Sequence, residues 1–217
     1  ELLEGVGQHR QAVAVATSLL RSRQLRPADQ SACEYILGEI LLENGDIVGG
    51  MDHLQRSASI AQDAKAFERV FAARVKLMAV VSERSGPGAA AALLAEVRQL
   101  ATRLGDPHIT AKLHLFVGEM EAKRGLLENA RRHAAIARRI LSHSPNTYLE
   151  AFCNNLNLAI NVLLCQFDDA KAFGVRATEL AEQSGVAAVY RASLGNVGTL
   201  HCAVGNFEKS IGYFEQS

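Results

Sequence analysis

Seven histidines, at 9, 53, 108, 114, 133, 143 and 201, and four cysteines, Cys33, Cys153, Cys165 and Cys202, are the residues with the most chemistry to offer. The histidines are scattered. None forms HExxH, and no acidic residue stands at a metal-ligand spacing from them. His114 and Glu121 share a helical face that would suit general acid–base work, but a satisfied pair in a core or groove is far commoner. The cysteines form no CxxC pair and read as reduced, mostly buried thiols of a cytoplasmic chain. GxxxxGK[ST], GxGxxG after a strand and GxSxG are all absent, and Gly86-Pro87-Gly88 reads as a loop. The sequence therefore assigns no catalytic residue, no metal ligand and no cofactor.

Polar groups that bind without reacting are better represented. Asn154, Asn157 and Asn161 recur at i, i+3 and i+7 on one helical face, the face that carries Leu37 and Leu41 earlier in the chain. That face should be buried, so these amides specify packing or mark an internal polar pocket. Arg131, Arg132, Arg138 and Arg139 make a basic stripe. With no aromatic interleaved, it reads as a solvated face and not as a nucleic-acid contact. Lys plus Arg equals Asp plus Glu at 23 each, so global charge steers the chain toward neither nucleic acid nor an anionic membrane.

The elements that position these groups are helices. Hydrophobic content of 48% excludes wholesale disorder, and the richness in Ala, Leu, Arg and Glu with 4 prolines favours helix. The longest uncharged run, 151–167, carries four asparagines and a glutamine, too polar to span a bilayer. AVAVATSLL near the start lies between Glu4 and Arg21, as in an amphipathic helix and unlike a secretion signal.

Self-similarity appears at a period of 40 residues. One column reads Gly38, Met78, Gly118, Leu158, Gly198; a second, twelve positions on, reads Gly50, Ala90, Ala130, Ala170, Ser210. Small residues at this separation let two helices of a hairpin cross closely. Between them the column Gly45, Ser85, Gly125, Cys165, Gly205 falls where a left-handed residue ends the first helix. First helices are expected near 28–43, 66–84, 107–124, 147–165 and 187–204, with second helices between them. At the start, the end of a first helix, a turn at Gly5 to Gly7 and a second helix with Ala12 at the small position are expected.

The segment VGTLHCAVGNFEKSIGYF at 197–214 resembles the tetratricopeptide repeat, with Gly198, Gly205, Phe207, Ser210, Ile211 and Phe214 at the consensus positions. The period exceeds that family's usual value of about 34 residues, and its Trp and Tyr positions are empty here. Forty residues also suits HEAT-like repeats, but the constant twelve-residue gap favours tetratricopeptide packing. The resemblance implies an all-α, right-handed solenoid of antiparallel hairpins. One domain over 1–217 would comprise a partial repeat at 1–27 and repeats at 28–65, 66–106, 107–146, 147–186 and 187–217. Long-period variants look like helical-repeat domains of large bacterial transcription regulators and signalling scaffolds. A non-catalytic protein- or peptide-binding module is thus implied, or alternatively a sensor or oligomerisation domain that binds an effector. No polar cap closes either end, so the sequence reads as part of a longer array, or as one whose ends pack in a homodimer.

In this family first helices line the concave side, which makes Tyr35, Lys76, Lys112, Phe116, Glu119, Phe152, Asn155, Leu156, Asn196 and Thr199 the expected groove residues. The part around Phe116, Phe152, Asn155, Leu156 and Asn196 combines apolar area with amides that suit an extended peptide backbone.

Overall fold

A computed structural model describes residues 2–21, 25–86 and 88–217, with side chains from residue 10 onward. The described residues form an all-helical, repeat-like succession without strands. Two compact units divide the chain, Glu1–Leu104 and Gly105–Ser217. The division falls between Leu104 and Gly105, two residues before the end of the expected 66–106 repeat.

The first unit holds α1 (Leu2–Leu20), α2 (Pro27–Glu43), α3 (Ile47–Asp63), α4 (Phe67–Ser85) and α5 (Ala91–Leu104). The second holds α6 (Pro107–Lys123), α7 (Leu127–His143), α8 (Thr147–Leu163), α9 (Phe167–Ser184), α10 (Ala187–Ala203) and α11 (Phe207–Gln216). Within each unit every helix packs on the next, and α6, α8 and α10 also pack on one another in sequence. Prolines sit in the first turns of α2 and α6, where the missing N–H would have no partner. Asp46 caps α3, accepting from Gly49 N at 2.9 Å, and Asp106 caps α6, accepting from His108 N at 2.6 Å. Asn146 accepts from Leu149 N at 3.0 Å while Glu150 accepts from Asn146 N at 3.2 Å, a reciprocal cap on α8.

The small-residue columns meet at hairpin crossings in three pairs, Gly38 with Gly50, Gly118 with Ala130 and Gly198 with Ser210. All ten of their members are buried. A Cβ on Gly38 would stand 3.0 Å from the carbonyl oxygen of Gly50, and one on Gly50 would stand 3.0 Å from that of Gly38. Ser210 uses its hydroxyl at the same crossing, donating to Gly198 O at 2.8 Å. Gly45, Gly125, Gly205 and Cys165 take the expected left-handed turn, with φ of 84°, 76°, 78° and 57°. Ser85 departs from the column. It ends α4 in helical geometry and Gly86 takes the positive φ, 81°, because a glycine next in line adopts it without a Cβ clash. Pro87 of the expected loop lies outside the described residues.

At the start, α1 runs unbroken through Gly5 and Gly7, so the turn expected there is absent; isolated glycines cost a helix about 1 kcal/mol each and do not oblige it to end. Ala12 is half-buried, and Ala16 is the buried contact of α1, against Cys33 and Leu37.

Candidate functional site

In the second unit, one face of α6, α8 and α10 leaves a groove of about 900 Å³. Its floor is apolar: Phe116 from α6 meets Phe152 from α8 edge to face at 5.3 Å, and Leu156, Ala159, Leu163, Val189 and Ala192 extend the surface. The space exists because four lining positions, Ala122, Ala159, Ala188 and Ala192, carry only a methyl and Gly195 carries no side chain. The rim is charged. Glu119 and Lys123 pair at 3.1 Å along α6, and Arg191 stands on α10.

A chain of amides and hydroxyls crosses from α8 to α10. Ser193 donates its hydroxyl to Val189 O at 2.9 Å, so its oxygen is the acceptor for Asn155 Nδ2 at 2.7 Å. Asn155 Oδ1 in turn accepts from Asn196 Nδ2 at 3.5 Å, a long contact. The carboxamide of Asn196 is thereby turned with its oxygen available, and among the described residues no donor engages that oxygen. Asn155 is only 5% exposed and Leu156 only 4%. Both were expected on the open groove wall and present little surface to it: α10 covers the α8 face that carries Asn155 and sets Ser193 against its amide, while Leu156 packs toward Gly118 of α6.

Six of the ten expected residues, Phe116, Glu119, Phe152, Asn155, Leu156 and Asn196, line this groove together. Lys112, half-buried, lies one turn before Phe116 on α6, outside the lining. Thr199 is exposed and donates to Gly195 O at 3.0 Å. Tyr35 and Lys76 belong to the first unit, where both reach Glu39 Oε1, at 3.1 and 2.8 Å, tying α2 to α4. Tyr148, Leu163, Val189, Arg191 and Ala192 also line the groove and were not anticipated. Tyr148 and Val189 lie in the first turns of α8 and α10, four residues before Phe152 and seven before Asn196, the first wall residues expected on those helices.

Several other polar groups have structural partners. His114 meets His133 through Nδ1 atoms 2.8 Å apart, and Glu121 accepts from Arg124 at 3.0 Å. The first-helix position of His114 is repeated forty and eighty residues earlier by Arg74 and Glu34, and each reaches across its hairpin: Arg74 to Glu96 at 2.9 Å, Glu34 to His53 at 2.6 Å. His201 stacks on Tyr213 at 5.3 Å; burial, with Lys209 and Lys171 adding, holds it below the ordinary histidine range. The arginines of α7 are all exposed. Asn154, Asn157 and Asn161 each donate Nδ2 to the carbonyl four residues back, at 2.8 Å, and only Asn161 is buried. Among the described residues no three His, Cys, Asp or Glu side chains gather as a metal site, and no helix is long and apolar enough to cross a membrane.

No protein-family description matches the chain, and no curated protein sequence matches it either. Its fold is similar to the crystal structure of BtubC (BKLC) from P. vanneervenii, with a TM-score of 0.62 and 14% identity, covering 100% of this chain and 89% of that one.

Proposed function

We propose that this chain is a tetratricopeptide-like solenoid module with a 40-residue period, and that its second unit binds an extended segment of a partner protein in the groove of α6, α8 and α10 without catalysing a reaction. The observation that carries this reading is the groove itself: an apolar floor with a T-shaped Phe116–Phe152 pair, an oriented amide at Asn196 and a charged rim. Three helices spaced by about 8–10 Å give a floor about 20 Å across, the reach of about six residues of extended chain at about 3.3 Å each. Aromatic and aliphatic area supplies affinity, and Asn196 Oδ1 accepts a backbone N–H that an isolated greasy surface would leave unsatisfied. Helix starts at 27, 67, 107, 147 and 187 support the period, as do the buried crossing columns.

Selection of a phage-displayed peptide library on the chain tests the reading. Ala192→Trp fills the groove from an exposed position and leaves the fold alone. Selected peptides are expected to lose at least about tenfold in affinity on this variant. Failure to enrich any peptide, or equal binding to the filled variant, refutes the groove.

A further inference from the structure

A smaller cleft of about 400 Å³ opens on a different flank of α8, against α7. The two walls carry opposite charges, Arg138 on α7 and Glu150 on α8. They do not pair with each other. Among the described residues Arg138 makes no hydrogen bond or ion pair, and Glu150 uses one carboxylate oxygen, Oε1, to accept from Asn146 N. Both charges act on the Cys153 thiol at the base of the cleft, where the guanidinium favours the thiolate and the carboxylate opposes it. The groups therefore face one small volume from two sides.

The asparagines complete the α8 wall. Asn154 and Asn157 spend Nδ2 on the carbonyls of Glu150 and Cys153, which leaves their amide oxygens as acceptors that no described donor engages. With Glu150 Oε2 they leave the α8 wall three acceptors, of which Glu150 Oε2 and Asn154 Oδ1, one helical turn apart, suit the N–H donors of an ammonium group. On the other wall a guanidinium offers paired N–H groups to a carboxylate. Leu141 and Cys153, 3% exposed each, form an apolar base between the two poles. A volume of about 400 Å³ lies at the small end of the range for small-molecule sites.

We propose that this cleft binds a free α-amino acid, its carboxylate on Arg138 and its ammonium group on Glu150 and Asn154. The site is independent of the peptide groove. It gives the chain a way to sense a metabolite through the α7–α8 packing, since the ligand touches both helices.

The twenty common L-amino acids, each added at about 10 mM to the full chain in a thermal melt and then titrated calorimetrically, test the assignment. A subset is expected to raise the melting temperature, and for these the α-hydroxy acid and the decarboxylated amine of the same side chain each bind at least about tenfold more weakly. Those analogues probe both poles without altering the protein. Arg138→Leu and Glu150→Gln should remove the response; Gln keeps the oxygen that caps Asn146, and Arg131→Leu on the same helix should change nothing. The proposal is overturned if no amino acid shifts the melt, if the amine or hydroxy acid binds as well as the amino acid, or if the response survives both cleft variants.

Discussion

Two glycine-to-alanine substitutions that are identical in chemistry should move stability in opposite directions. Gly38 stands at the crossing of α2 and α3, where a Cβ would lie 2.8 Å from Leu54 Cγ and 3.0 Å from Gly50 O. Leu54 is 0% exposed and the carbonyl is backbone, so neither can yield into solvent. Overpacking of this kind costs about 1–3 kcal/mol, against a gain of about 1 kcal/mol from replacing a helical glycine by alanine. Gly38→Ala is therefore expected to lose about 1 kcal/mol. Gly212, in α11, has nothing within 4 Å of its Cβ position, and there the propensity term acts alone. Gly212→Ala should gain about 0.5–1 kcal/mol. Urea unfolding followed by circular dichroism at constant m-value reads both shifts, and an increased midpoint for Gly38→Ala would refute the close-crossing account of the small-residue columns.

Three further outcomes follow from named contacts. Asn155→Ala strips Ser193 of its buried partner and leaves a cavity, a loss of about 2 kcal/mol in the same unfolding assay; a midpoint equal to wild type would remove the amide chain from the stability of the second unit. Cys165 holds a left-handed φ of 57°, so Cys165→Gly relieves about 1–2 kcal/mol of strain, less about 0.4–1 kcal/mol of added unfolded-state entropy, and should raise the melting temperature slightly. Burial pushes the Cys153 thiol from 9.0 up to about 11. The unfolded chain thus releases this proton first as pH rises, and stability should fall by about 2 kcal/mol between pH 9 and 11. Cys153→Ala should remove that part of the alkaline loss, which unfolding midpoints at the two pH values measure.

Much of the helix register was legible because a hairpin crossing needs small residues at fixed separation, and Gly38 with Gly50, or Gly198 with Ser210, announce it whatever surrounds them. The second helix near 91 was harder: Gly86 takes over the turn from Ser85 and α5 begins four residues behind its column. Within the groove, Phe116, Phe152 and Asn196 could be placed together from periodicity alone. The burial of Asn155 could not, since it depends on Ser193, thirty-eight residues away, and on the rotation of α10 against α8. The same limit hid the His114–His133 contact, a pairing between helices that neither helix's own spacing encodes. The cleft of Arg138 and Glu150 was foreshadowed by the asparagine stripe, but its polarity rests on where each Nδ2 goes, which only coordinates reveal.

Methyl NMR during titration with a library-selected peptide decides whether the groove of α6, α8 and α10 receives an extended protein segment. Resonances of Leu156, Ala159, Leu163 and Val189, which line the groove, should shift together and saturably, while those of the exposed Val48 and Val175, on α3 and α9, stay in place. Shifts confined to Val48 or Val175, with the groove methyls silent, would contradict that reading.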